Sequence, residues 1–249
     1  MPSTSVQKPY WGIPILESSE PLVSVGKDFI CANPHPYAVL GAPYEDASPF
    51  FVRQAVLAAL QTAQERLQQQ QPSWKIFLFD AYRPVAVQQF MVEYTFEQAL
   101  QERSLTRSQL SSAEADALWH EVFQLWAPPS LDPKTPPPHS TGAAVDVSLF
   151  DLETQETVWM GSPIDELSER SQPDFFYSVT TDPQRPEPER KQAALAHHHR
   201  QILKDIMNAA GFERHLGEWW HFSLGDQMWA WLRQQQSPDQ VLTARYGRV

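Results

Sequence analysis

Two short segments hold histidine beside carboxylate in apolar surroundings: HSTGAAVD, from His139 to Asp146, and EWWH, from Glu218 to His221. Imidazole and carboxylate are donors that a catalytic zinc ion takes, three from the protein with a fourth position left for water. His139, Asp146 and His221 supply that count for one zinc ion per chain, and Glu218 is left beside the metal as a general base. This reading places demands on the backbone. His139 and Asp146 are seven residues apart and would face opposite ways on a straight strand, so Gly142 must turn the chain to bring the imidazole over the carboxylate. His139 is then expected on a loop and Asp146 on a strand. Glu218 and His221 would also face apart on a regular strand, so Glu218 must lie in an irregular stretch just after Gly217.

The elements needed for this positioning are present. In AAVDVSLFD, Ala144, Asp146 and Ser148 alternate with Val145, Val147 and Leu149, the pattern of a half-buried strand, and ETVWM (Glu156 to Met160) is its predicted hairpin partner. WKIFLFD (Trp74 to Asp80) reads as a second strand that stops at Pro84, where a helix over residues 85–101 opens. Residues 51–70 place Val52, Val56, Leu57, Leu60 and Leu67 at mostly helical spacing. Ser111 and Glu114 form a capping-box pattern ahead of ADALWHEVFQLW. Lys191 to Ala210 reads as a helix, the residues around Ser168 to Arg190 as a polar stretch, and GEWWHFSLG (Gly217 to Gly225) as a last strand. The sum is an α+β fold: a small antiparallel sheet flanked by helices. Residues 1–249 are expected to form a single domain, with residues 1–50 an N-terminal arm packed on it.

Other chemistries find little support. The 9 glycines never form GxGxxG or a phosphate loop, and GxSxG is absent. Ser5 and Lys8 spell SxxK, but without the partner motifs of serine acylation. HEVFQ, His120 to Gln124, lacks the second histidine of HExxH and reads as a surface feature. His197, His198 and His199 are consecutive and project ~100° apart on a helix, so they cannot converge on one ion. Cys31 is the only cysteine and reads as an inert thiol. With 30 acidic against 19 basic residues and a net charge of −11, a nucleic-acid partner is not expected. No apolar run suggests a signal peptide or a membrane span, so a cytoplasmic protein with no membrane partner is expected. The 22 prolines concentrate in connections, above all APPSLDPKTPPP before His139.

DAYRP (Asp80 to Pro84), HSTGAAVD, MGSPID (Met160 to Asp165) and GEWWHF together resemble the zinc D-alanyl-D-alanine dipeptidases of the VanX type, in the family's order. The resemblance implies the fold of zinc D-Ala-D-Ala carboxypeptidases and hedgehog signalling domains, and hydrolysis of a small D-dipeptide. It implies that His139, Asp146 and His221 bind zinc, that Glu218 is the base, and that Arg83 stabilises the transition state. Asp165 matches the acidic residue that holds the substrate's free amino group, and Tyr37 is a candidate for the family's substrate-contacting tyrosine. Pro137 stands where the family often has a serine. Two alternatives stay open: a D,D-carboxypeptidase trimming cell-wall stem peptides, and a noncatalytic zinc-binding module.

Overall fold

The alternating segment after Gly142 becomes the middle of a sheet, and helices of 3.6-residue periodicity cover it. In the computed structural model, which describes residues 7–249, a 3-10 helix at Pro9–Gly12 precedes β1 (Leu22–Ser24), β2 (Ile30–Cys31) and α1 (Pro36–Val39). β3 (Phe51–Arg53) runs directly into α2 (Gln54–Gln70), followed by β4 (Trp74–Asp80), α3 (Val85–Glu102) and α4 (Ser112–Leu125). A 3-10 turn at Pro138–Thr141 leads to β5 (Ala144–Asp151) and β6 (Glu156–Thr157). The chain continues through α5 (Phe175–Thr181), α6 (Glu187–Ala209), β7 (Glu213–Arg214), β8 (His221–Ser223) and α7 (Gln227–Gln236). Ser5 of the SxxK pattern lies outside the described residues.

The main sheet has the order β2-β4-β5-β8-β7, with β6 paired to the far end of β5. β5 is antiparallel to both β4 and β8. β2 runs parallel to β4, so the sheet is mixed rather than purely antiparallel. The cause is the connection: from β2 the chain passes through α1, β3 and α2 before entering β4, and a crossover containing a helix can return a strand in the same direction. β1 and β3 form a separate antiparallel pair.

One face of β4 and β5 presents Ile76, Leu78, Val145, Val147 and Leu149, all fully enclosed beneath α2 and α6. α2 contributes Val56, Leu60, Ala63 and Leu67, and α6 contributes Leu203, Ile206 and Met207. Each of the larger side chains, Ala63 excepted, contributes ~1.5–3 kcal/mol by leaving water. A second cluster joins α3 and α4 through Phe96, Trp119, Phe123 and Trp126, and it extends to Tyr37 of α1. Its α4 starts as its sequence requires, with the Ser111 side chain and Glu114 capping one another.

Several elements depart from the sequence pattern. β5 is buried on both faces through Ser148 rather than half-buried, because Ala144, Asp146 and Ser148 are also covered. Residues 168–190 are not wholly irregular: Phe175, Phe176 and Val179 give α5 an apolar side against Ala193 and Ala196 of α6. α6 starts at Glu187, before Lys191, because Pro188 is compatible with a first turn and Glu187 and Glu189 suit the positive end of the helix dipole. Pro84 is the N-cap of α3 rather than its first helical residue. Within GEWWHFSLG only His221–Ser223 is strand. The N-terminal stretch is held on the C-terminal one: Tyr10 packs on Met228 and Leu232 of α7, and Ile15 bridges Ala244. Among the described residues no helix is long and apolar enough to cross a membrane.

Candidate metal centre and active site

The register of the sheet assembles most of the site. Asp80 of β4 is the cross-strand partner of Asp146 of β5, which is in turn the partner of His221 of β8, so three polar residues form one row across neighbouring strands. His139 arrives at this row from the 3-10 turn. The turn ends at Gly142, whose φ of +71° is left-handed, and a Cβ there would lie 2.3 Å from Leu22 Cδ2. Glycine therefore serves both the conformation and the close approach.

His139 Nε2 lies 3.1 Å from His221 Nδ1 and 3.2 Å from Asp146 Oδ2, and His221 Nδ1 lies 3.1 Å from Asp146 Oδ1. Bonds of ~2.0–2.1 Å at tetrahedral angles would set the donors of a zinc ion ~3.3 Å apart, close to this triangle. The surrounding hydrogen bonds fix which nitrogens carry protons. His139 Nδ1 donates to the Ala81 carbonyl at 2.7 Å, leaving Nε2 as a lone pair. Ser223 Oγ donates to Asp226 at 2.9 Å and so accepts from His221 Nε2 at 3.3 Å, leaving Nδ1 as a lone pair. Two imidazole lone pairs and a carboxylate thus converge on one point, an arrangement that repels itself unless a cation sits there. The donor set fits a divalent metal, and among the described residues these three form the one cluster of this kind. The His197–His199 run does not; His199 Nδ1 donates instead to the Trp159 carbonyl. Burial opposes ionisation of Asp146, but the neighbouring His139 and His221 hold its carboxyl well below the usual range.

Glu218 lies on the irregular stretch before β8, as its spacing from His221 requires. That stretch is pinned on both sides: Trp219 N donates to the Ser171 carbonyl at 3.1 Å, and the Trp220 carbonyl accepts from Val147 N at 3.0 Å. The Glu218 carboxylate is buried, 3.4 Å from His215 Nδ1 and 3.9 Å from His221 Nδ1. Burial and the charges of Asp146 and Asp165 push its pKa well above the ordinary carboxylate value. A cation at the triad acts in the opposite direction.

Arg83 reaches the same place from the turn after β4. Nε donates to Asp80 at 3.0 Å, Nη1 to Gln88 at 2.9 Å, and Nη2 to Asp146 at 3.2 Å and Tyr37 Oη at 3.4 Å. Its guanidinium also lies over the rings of Tyr37 and Trp126, at 5.0 and 4.9 Å. Asp80 is completely buried and receives further bonds from His35 at 3.0 Å and Tyr44 at 3.1 Å. Burial alone would raise the Asp80 pKa, but Arg83 and His35 hold it below the usual value.

Asp165 sits in a left-handed conformation with φ +64°, and Tyr37 Oη donates to its carboxylate at 2.7 Å. It caps no helix; the following 3-10 turn at Glu169–Ser171 is capped by Ser168. Burial and the Asp146 charge raise its pKa to about 7. The triad, Glu218, Arg83 and Asp165 line a single cavity with only about 40 Å³ of free space, whereas the wide apolar cleft beside Phe77 and Trp159 has about 910 Å³ and none of these groups.

Sequence reasoning left out several contributors. The Asp80 partners His35 and Tyr44 lie far upstream in the chain, where proline-dotted irregular sequence gives no periodic signal. Ser223 ends β8 and Asp226 caps α7, accepting from Trp229 N at 2.8 Å, and neither stands in a motif of its own. His215, buried beside Glu218 with its pKa lowered to about 3 by burial and His221, carries no motif of its own.

The geometry agrees with relationships found across known proteins. The peptidase M15 family model, described as D-Ala-D-Ala dipeptidase, matches residues 31–242. A D-alanyl-D-alanine dipeptidase of Synechocystis sp. is 46% identical over 243 residues, 97% of each chain. One from Enterococcus faecalis is 33% identical over 89 residues, 36% of this chain and 37% of its own. This chain belongs to the M15 peptidase family of D-Ala-D-Ala dipeptidases.

Proposed function

We propose that this protein is a zinc-dependent dipeptidase that hydrolyses D-Ala-D-Ala to two molecules of D-alanine. The observation that carries the reading is the convergence of a His-Asp-His triangle, a buried glutamate, a clamped arginine and an aspartate in one small cavity. The family and the Synechocystis relative support D-Ala-D-Ala as the substrate.

One zinc ion held by His139, Asp146 and His221 would polarise the scissile carbonyl and lower the pKa of water toward ~7. Glu218, beside the triad but not part of it, takes the proton of the attacking water and passes it to the departing amine. Arg83 donates to the developing oxyanion. Gln88, Asp80 and Asp146 fix the guanidinium before the reaction, so little reorganisation is needed as charge develops. Asp165, with Tyr37 beside it, receives the substrate's ammonium group, and an internal peptide bond has no such group to offer.

A substrate panel tests this reading against carboxypeptidase activity. Zinc-loaded protein is expected to release D-alanine from D-Ala-D-Ala and to cleave the N-acetylated dipeptide ~10–100-fold less efficiently, the weight of one charged hydrogen bond. Asp165→Asn is expected to narrow that difference to a few-fold. Cleavage of a stem pentapeptide ending in D-Ala-D-Ala, with the free dipeptide left intact, would instead establish the carboxypeptidase.

A further inference from the structure

Lys8, the lysine of the SxxK pattern, lies at the same cavity although the proposed mechanism gives it no part. It immediately precedes the 3-10 helix Pro9–Gly12, which Tyr10 anchors on α7. Nζ donates to the Phe123 carbonyl at 2.7 Å, near the C-terminal end of α4, where lysine satisfies an end carbonyl and the negative pole of the helix dipole. An ammonium has three donors, and this bond uses one of them. Among the described residues no carboxylate lies within ion-pair distance of Nζ, although the charge of Glu218 reaches it across the cavity. A half-buried cation facing a cavity without an ion-pair partner is poised for an anion.

The ligand's chemistry supplies that anion. A free dipeptide carries an ammonium at one end and a carboxylate at the other. Asp165 suits the first, but Asp146, Glu218 and Asp165 would all repel the second. The cavity's other cationic side chain, Arg83, is already engaged by Asp80, Asp146 and Gln88. We infer that Lys8 binds the free C-terminal carboxylate of the dipeptide and thereby sets the far end of the substrate pocket. Asp165 and Lys8 then select both ends of the molecule, so that only a peptide of two residues offers both charges at once. The inference rests on the dipeptidase reading.

The test compares D-Ala-D-Ala with its C-terminal amide, a neutral analogue with the same scissile bond, in wild type, Lys8→Gln and Lys8→Arg. Wild type is expected to favour the acid ~10–100-fold in kcat/KM, with the difference in KM, as for a charged hydrogen bond. K8Q keeps an N–H donor for the Phe123 carbonyl but loses the charge, and it is expected to bring the ratio to within a few-fold of unity. K8R is expected to retain most of the preference. Partial misfolding lowers both rates together and leaves the ratio unchanged, so the ratio reports recognition of the carboxylate. A wild type indifferent to the amide, or a K8Q ratio equal to that of wild type, would overturn the inference. Hydrolysis of neither compound by zinc-loaded wild type would remove the dipeptidase reading itself, and this inference with it.

Discussion

Glu218→Gln should lower kcat for D-Ala-D-Ala by about 10²–10⁴-fold, the range for loss of a positioned general base, with bound zinc and KM nearly unchanged. The substitution conserves volume and one carbonyl oxygen, so the effect isolates the ability to accept a proton. The backbone directly after Glu218 is tied through Trp219 to Ser171 and through Trp220 to Val147, and a glutamine is held in the same place. Glu218 stands outside the His139, Asp146 and His221 triangle, which is why metal content should survive. Steady-state kinetics combined with metal analysis of the same preparation make the measurement. Undiminished kcat in a zinc-loaded variant would remove Glu218 from the chemistry; loss of zinc would make it a ligand.

Arg83→Ala should damage both catalysis and stability. Loss of an oxyanion donor typically costs ~10²–10³ in kcat. The structural cost arises elsewhere: Asp80 is fully buried, and without Arg83 it retains only the His35 and Tyr44 bonds. Removing one member of a buried ion pair costs roughly 3–5 kcal/mol because a charge is left uncompensated. Arg83→Lys should recover little of the rate, since a single ammonium cannot reproduce contacts to Asp80, Gln88 and Asp146 in three directions. Thermal unfolding and kcat measured on both variants distinguish the two losses. Arg83→Ala with unchanged kcat would exclude the oxyanion role, and unchanged stability would mean that Asp80 is satisfied without it.

The site was more legible in the sequence than the fold around it, and the reason lies in where each constraint acts. Coordination chemistry restricts residue type and spacing locally, so HSTGAAVD and EWWH announce a site even before a strand is assigned. The same spacing called for a turn at Gly142 and irregular backbone at Glu218, because the side chains could not otherwise converge on one point. The parallel pairing of β2 with β4 left no such mark: two residues, Ile30 and Cys31, pair with Phe77 and Leu78 across a long connection. α5 escaped notice because Phe175, Phe176 and Val179 sit in polar text and gain their meaning only from α6. Lys8 shows the limit most clearly. Its neighbourhood carries no periodicity, and only the packing of Tyr10 on α7 brings it to the cavity.

D-alanine release as a function of zinc added to chelator-stripped protein tests the requirement for one zinc ion held by His139, Asp146 and His221. The stripped protein is expected to release no D-alanine and to recover linearly until one zinc per chain is bound, with His139→Ala failing to recover at the same zinc concentration. Full activity after chelation, or full recovery in H139A, would contradict that requirement.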